Sequence, residues 1–223
     1  MARYRSVSPL SLLAAALLLA ASPAAAASLT FDGVPEGGGA NCFGGGPESV
    51  AEGGFTISNC PGYWIAPGNI HLNDGGSAFS GSVEFSAPVP FRAESVTILG
   101  FGSAFTDQET REPVAYENVL FEGFRDGALV ARQGHSTGLL AKSVETVLFG
   151  PEFAALDLLR ISQVLPGAED LARYPDAYCA DRPCAQISLL DIRLSPVPLP
   201  AGLPLLAAAL AAFGLLARRR RTG

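Results

Sequence analysis

Histidine, methionine and tryptophan are nearly missing from this 223-residue chain, which has two His, one Met and one Trp. So few imidazoles leave little material for general-base or metal chemistry. Charge is sparse too, at 16% of residues, and unevenly placed. No Asp or Glu lies outside residues 28–195, whereas six of the 15 basic residues are Arg3, Arg5 and Arg218 to Arg221. Residues 28–195 therefore hold 9 basic and 21 acidic residues, a net charge of −12. A domain that acidic repels phosphates, which argues against nucleic acid as a partner. Gly (25) and Pro (17) are abundant. That content argues against a helical bundle. No internal repeat at a fixed period is apparent.

The 48% of residues that are hydrophobic concentrate at the two ends. Residues 1–27 read as a secretory signal peptide. Arg3 and Arg5 make a positive start, Leu10 to Ala21 an apolar middle, and Ser22-Pro23 a break before the small residues Ala24 to Ala27. Cleavage is expected after Ala27, within one residue. The competing reading, an uncleaved anchor, is disfavoured by the short apolar middle and the small-residue site.

Val197 to Ala217 is a run of 21 residues without a charge. At a rise of about 1.5 Å per residue it matches a bilayer core of about 30 Å. Pro198, Pro200 and Pro204 crowd its beginning, so a regular transmembrane helix is expected from about Pro204. Arg218 to Arg221 follow directly and resist translocation, which keeps this end in the cytoplasm and the preceding domain outside the inner membrane.

Val197-Pro198-Leu199-Pro200-Ala201-Gly202-Leu203-Pro204, an Ala/Leu helix and an arginine run together resemble the VPLPA-CTERM sorting signal, a variant of the bacterial PEP-CTERM system. Val197, Pro198, Leu199, Pro200 and Ala201 form the motif, and Arg218, Arg219, Arg220 and Arg221 the tail anchor. The resemblance covers about 27 residues and parallels other tail signals in which a hydrophobic end is exchanged for an anchor. It implies a Gram-negative source and recognition by an exosortase-like membrane protease that cuts near the motif. It also implies an exported surface or matrix passenger, often associated with exopolysaccharide. Residues 196–223 are then the sorting signal and 28–195 the passenger domain.

Within the passenger, short apolar stretches alternate with turn residues. They are Leu29–Phe31, Gly54–Ser58, Ser82–Phe85, Ser95–Phe101, Val119–Phe124, Ala128–Gln133, Ser143–Phe149, Leu158–Gln163 and Gln186–Leu194. Several have a period of two, as half-buried strands do. In the last, Ile187 and Leu189 share a face with Asp191 and Arg193, and Leu190, Ile192 and Leu194 take the other. Asp126-Gly127 suits a tight primed hairpin turn. Glu152 to Leu159 is the one stretch that suggests a turn or two of helix. The expected fold is an all-β, antiparallel, two-sheet jelly-roll-like sandwich. Phe31-Asp32-Gly33, the Phe121–Gly127 hairpin and Leu190-Asp191-Ile192 also resemble sandwich passengers found on this sorting signal, and that resemblance implies a galactose-binding-like or concanavalin-like sandwich.

Cys42, Cys60, Cys179 and Cys184 all lie in the exported part, where disulfides are the expected state. Three pairings are possible. Cys42–Cys60 and Cys179–Cys184 each close a local loop and are favoured. The spacings do not suit zinc.

Few segments carry candidate chemistry. Gly134-His135-Ser136-Thr137-Gly138 spells a nucleophile elbow, but no strand-to-helix pattern surrounds it, and it reads as a loop between strands. The Gly-rich stretch 37–46 lacks the Lys-Ser/Thr and the helix of a phosphate cradle. His71-Leu72-Asn73-Asp74-Gly75-Gly76 is either an Asx-type turn or a polar site. Asp32 and Asp191 lie near opposite ends of the domain. They would meet if the first and last strands pair, and a structural Ca²⁺ would then relieve their repulsion. The other reading leaves Asp191 in solvent or beside Arg193 or Arg160. Tyr63 and Trp64 are expected in a loop, where an aromatic face can stack on a sugar ring. The competing role for a lone Trp is a core anchor. The combined expectation is a non-catalytic, exported, envelope-attached protein, with a carbohydrate-binding module acting on exopolysaccharide through Tyr63, Trp64 and His71 as the alternative.

Overall fold

In the computed structural model, the described residues are 26–32, 49–58, 63–66, 68–72, 81–100, 105–137, 143–164, 166–177 and 187–197. The last two residues of the expected signal peptide, Ala26 and Ala27, are among them, with Ala27 opening the first strand; its residues 1–25 and the expected transmembrane tail lie outside. So do Cys42, Cys60, Cys179, Cys184, the motif from Pro198 to Ala201, and Arg218 to Arg221. The body that holds the fold runs from Ala26 to Val197.

Eleven strands are described: β1 (Ala27–Leu29), β2 (Ser49–Glu52), β3 (Phe55–Ser58), β4 (Tyr63–Ala66), β5 (Asn69–Leu72), β6 (Ser82–Gly100), β7 (Val119–Arg125), β8 (Ala128–His135), β9 (Ser143–Leu148), β10 (Leu156–Gln163) and β11 (Ile187–Pro196). All their pairings are antiparallel. Period-two alternation builds them. In β7, Val119, Phe121 and Gly123 are buried, while Leu120, Glu122 and Phe124 are half-buried on the other side. Gly123 is needed there, because an added Cβ would lie 2.7 Å from Leu156 Cδ2.

β6 belongs to both sheets of a sandwich. Its first part joins β2-β3-β6-β10-β7-β8, and its second part joins β4-β5-β11-β6-β9. It turns between them at Pro88-Val89-Pro90, all exposed. β1 lies beside β11 on the same edge as β5. One apolar cluster fills the space between the sheets, and it includes Phe31, Phe85, Phe91, Phe121, Phe149 and Leu194. Phe55 meets Phe91 edge-on at 5.2 Å between ring centres, and Phe121 meets Phe149 at 5.1 Å. Polar contacts close the two sides. Gln133 Nε2 donates to the Leu148 carbonyl at 3.3 Å on one. On the other, Glu52 accepts from the backbone N–H groups of Thr30 and Phe31 at 3.1 Å each. That grip holds Phe31 at φ +61°, a conformation a buried Phe adopts only when its surroundings dictate it.

The predicted Asp126-Gly127 turn is present, with φ +51° and +76° at its two residues. Several expectations need correction. Glu152 to Leu159 is not a helix: Pro151–Phe153 forms a 3-10 turn, and β10 starts at Leu156 because Leu156 is fully buried opposite Phe91. The helix is instead α1 (Ala168–Arg173), whose first turn is tied by the Gly167 N–H donating to Asp170 at 3.1 Å. The stretches 82–85 and 95–100 are parts of one strand, and Phe101 lies outside the described residues. In β11 the alternation changes phase. A bulge at Leu190 puts Ile187, Leu189, Ile192 and Leu194 all in the core, and Asp191 and Arg193 outside.

Both ends of the body reach the same pole. Ala27 pairs with Leu194, and the Val197 N–H donates to the Pro90 carbonyl at 2.8 Å, at the corner of β6.

Candidate functional site

The two outer faces differ in chemistry. On the first sheet, Ser58, Glu84, Arg160, Glu122 and Arg132 follow one another across five strands in Cα register. Charges of opposite sign alternate from Glu84 to Arg132. Arg160 reaches Glu84 at 2.7 Å and Glu122 at 3.9 Å, and its guanidinium lies 5.0 Å from the centre of the Phe124 ring. This ladder answers its own charges.

The second sheet carries an uncharged row. Trp64, His71, Ser188, Leu99 and Val144 stand in Cα register across β4, β5, β11, β6 and β9. His71 Nδ1 and Ser188 Oγ share a hydrogen bond of 2.8 Å. Leu99 is half-buried and Val144 is 60% exposed. With strands about 4.8 Å apart, the row is about 19 Å long. Beside it run Asp191, Thr97 and Thr146, whose two threonine hydroxyls lie 3.3 Å apart. Leu148, at 73% exposed, closes the face along β9.

Tyr63 and Trp64 are therefore on a strand, not in the expected loop. His71 is the third residue of β5, directly opposite Trp64. Four residues without charge or alternation gave no signal of β4. Ser188, which holds His71, lies 117 positions away in the chain, and nothing local marks it.

The first and last strands do pair, with Leu29 opposite Ile192. Past Leu29 the chain leaves that register at Phe31, and Asp32 lies by Gly68, with Oδ1 3.5 Å from where a Cβ there would sit. Asp191 accepts a hydrogen bond from Ser28 and lies 3.7 Å from Arg193 Nε. Among the described residues, no group of three or more His, Cys, Asp or Glu side chains gathers as a metal site.

Gly134 and His135 end β8 rather than forming a loop. His135 Nε2 lies 3.0 Å from Glu145, which also accepts from Ser143 Oγ at 3.0 Å. Thr137 is buried and bonded to Asn118 through both its N–H and its hydroxyl, at 2.9 and 2.7 Å. A cleft of about 410 Å³ opens beside the end of β8, lined by Glu117, Arg132, Glu169 and Asp170 among others. Glu117 rests against Gly134 in space a Cβ would fill. The cleft wall carries three carboxylates and one guanidinium.

Elsewhere, Asp107 has its carboxyl held below the usual range, chiefly by the N–H of Thr110, with the N–H of Glu109 and the Thr110 hydroxyl adding to it. That stabilises the Phe105–Val114 turn.

No protein family matches the chain, and neither does any curated protein. Solved structures with loosely similar strand arrangements include a mutant lectin-binding domain of lectinolysin complexed with Lewis b. It is 12% identical, with a TM-score of 0.33 over 58% of this chain and 71% of that one. A low-affinity xylan-binding module from Roseburia intestinalis is 14% identical, with a TM-score of 0.33 over 80% and 98%. A cyclase from Fischerella sp. TAU is 12% identical, with a TM-score of 0.30 over 79% and 100%. At these scores the likeness assigns no ligand and no activity.

Proposed function

We propose that this is an exported, envelope-attached, non-catalytic module that engages polysaccharide through the outer face of the β4-β5-β11-β6-β9 sheet. The observation that carries the reading is the uncharged row from Trp64 to Val144. It sets exposed Val144 and half-buried Leu99 beside the hydroxyls of Thr97 and Thr146 and the His71 imidazole, with Ser188 buried beneath as the partner of His71. This mixture suits sugar rings, which are apolar on their faces and polar at their edges. On the first sheet's outer face the charges from Glu84 to Arg132 are answered within their own row, and the exposed Leu129 and Val130 lie on its edge strand β8.

Export and attachment rest on the sequence at the two ends. The resemblance of Val197 to Ala201 and the arginine tail to a sorting signal implies an exosortase-like protease as a partner, with the inner membrane holding the tail beforehand.

The binding test is electrophoresis of the protein through gels containing the host's exopolysaccharide and a panel of others. Retardation that is lost on Val144→Asp and Trp64→Ala, and kept on Arg132→Ala, is the expected result. Free migration in every gel would sink the binding reading. Intact mass from the native host tests sorting: a start near Ser28 and an end between Val197 and Gly202 is expected. A mass that retains Arg218 to Arg221 would make the tail a permanent anchor.

A further inference from the structure

We infer that β9 pairs with β9 of a second copy of this chain, antiparallel about a two-fold axis at Thr146, and so joins two five-strand sheets into one. This pairing goes beyond the proposed function and does not depend on it. Among the described residues β9 pairs with β6 alone, so its far side is a sheet edge. The residue after it fixes the backbone direction: the Phe149 N–H donates to the Glu94 carbonyl of β6 at 3.0 Å. Bonding residues alternate along an antiparallel ladder. Val147, Glu145 and Ser143 therefore bond to β6, and Val144, Thr146 and Leu148 turn their N–H and C=O groups outward. The Leu148 carbonyl agrees, since it accepts from Gln133 Nε2 at 3.3 Å, away from β6, and it keeps a second lone pair. Sheet edges are ordinarily blunted by a bulge, a proline, a basic residue or shortness. β8 has a register shift at Gly123/Phe124 of its neighbour and carries Arg132. β4 has only four residues. β9 has six, keeps its register with β6 throughout, and contains no proline and no basic residue.

The side chains of this edge complement themselves. Leu148, 73% exposed, and Val144, 60% exposed, are the two most exposed large apolar residues among those described. With Thr146 opposite its own counterpart, Val144 stands beside Leu148 of the second copy, and Leu148 beside its Val144. Both apolar pairs form at once, as a two-fold contact requires. The axis pair is hydroxyl against hydroxyl. Glu145, the one charge on β9, lies on the opposite face, where His135 Nε2 and Ser143 Oγ hold it at 3.0 Å each. No like charges from β9 meet on the outer face. A saccharide has no row of donors and acceptors to match outward backbone groups two residues apart, and an extended strand has. Six residues span about 20 Å, and a two-layer edge about 20 Å thick buries on the order of 400 Å² per copy. That is about half of a standard interface, so the dimer is a weak, concentration-dependent one. The net charge of −12 in residues 28–195 opposes the approach of two copies, and salt screens that opposition.

The test is sedimentation of the 223-residue chain in mild detergent, over a concentration series at physiological salt. Thr146→Lys and Thr146→Glu each place like charges across the axis. Val89→Asp is the control, at an exposed position away from β9. Circular dichroism checks that each variant folds. The expected result is a monomer–dimer equilibrium for the unsubstituted chain and for Val89→Asp, with a dissociation constant raised more than tenfold in each Thr146 variant. Mixing the Lys and Glu variants should restore the dimer, because the axis then carries opposite charges. A chain that stays monomeric through the micromolar range overturns the pairing. So does a dimer that survives both Thr146 substitutions, which would place the association elsewhere in the chain. A mixture of folded Lys and Glu variants that stays apart overturns it as well.

Discussion

The two outer faces of the sandwich are built on the same strand geometry and share β6, yet they solve opposite problems. The face around Arg160 places acids and bases in adjacent register, so each charge has a neighbour of opposite sign. The face around Ser188 places imidazole, hydroxyl and aliphatic groups in register, and Val144 and Leu148 along β9 stay open to solvent. The first arrangement is complete without a ligand. The second leaves apolar area in water that a partner would cover. On the proposed function, the closed ladder contributes to stability and the open row to recognition, so substitutions on the two faces should separate these properties.

The largest expected effect is at the ladder. Arg160→Ala leaves Glu84 and Glu122 facing each other across its place, and a loss of about 1–3 kcal/mol is expected for a partly exposed pair. Urea denaturation reads it as a lower midpoint, with polysaccharide retention unchanged. A variant that keeps its midpoint would mean the ladder is only a solvated surface.

Glu52→Ala probes the seam where the faces meet. It strips the acceptor from the N–H groups of Thr30 and Phe31, for an expected cost of about 1–2 kcal/mol. Amide exchange should speed up at both residues and not along β7. Uniform exchange rates across the body would show that this seam does not open locally.

Val144→Asp is expected to shift stability by less than about 0.5 kcal/mol, as surface changes usually do, while abolishing retention on the polysaccharide. Lost stability together with lost binding would erase the division between the faces.

The smallest effect lies outside both. The Asp107 carboxyl is held below its usual value of 3.8, so its contribution is present above that value and lost as pH falls through the folded one. Amide chemical shifts of Glu109 and Thr110 should titrate together below pH 3.8, with little change elsewhere.

The sheets were legible where alternation was clean and the turn chemistry explicit. Phe121 and Asp126-Gly127 announce the β7–β8 hairpin directly. The switch in β11 was not, since Leu189, Leu190 and Ile192 are equally apolar and only the packing shows which one is left out at the bulge. The face itself was half visible. Trp64 and His71 stand out by type, whereas Tyr63 pairs with core residue Leu72, one position out of the row. Ser188, Leu99 and Val144 are ordinary residues that become a row only through pairings across long stretches of chain. Glu52 was invisible for the same reason, because its partners are backbone groups 21 and 22 positions earlier.

The pairing of β1 with β11 also sets an order of events. Among the described strands β1 is the first made and its sheet partner the last, so residues 27–29 have no ladder to join until residues 192–194 arrive. Loop closure over such a separation is slow compared with local hairpins. A chain emerging through a narrow channel, amino end first, would thus hold its leading strand unpaired until nearly the whole body had passed. The final strand then acts as the latch that completes the second sheet.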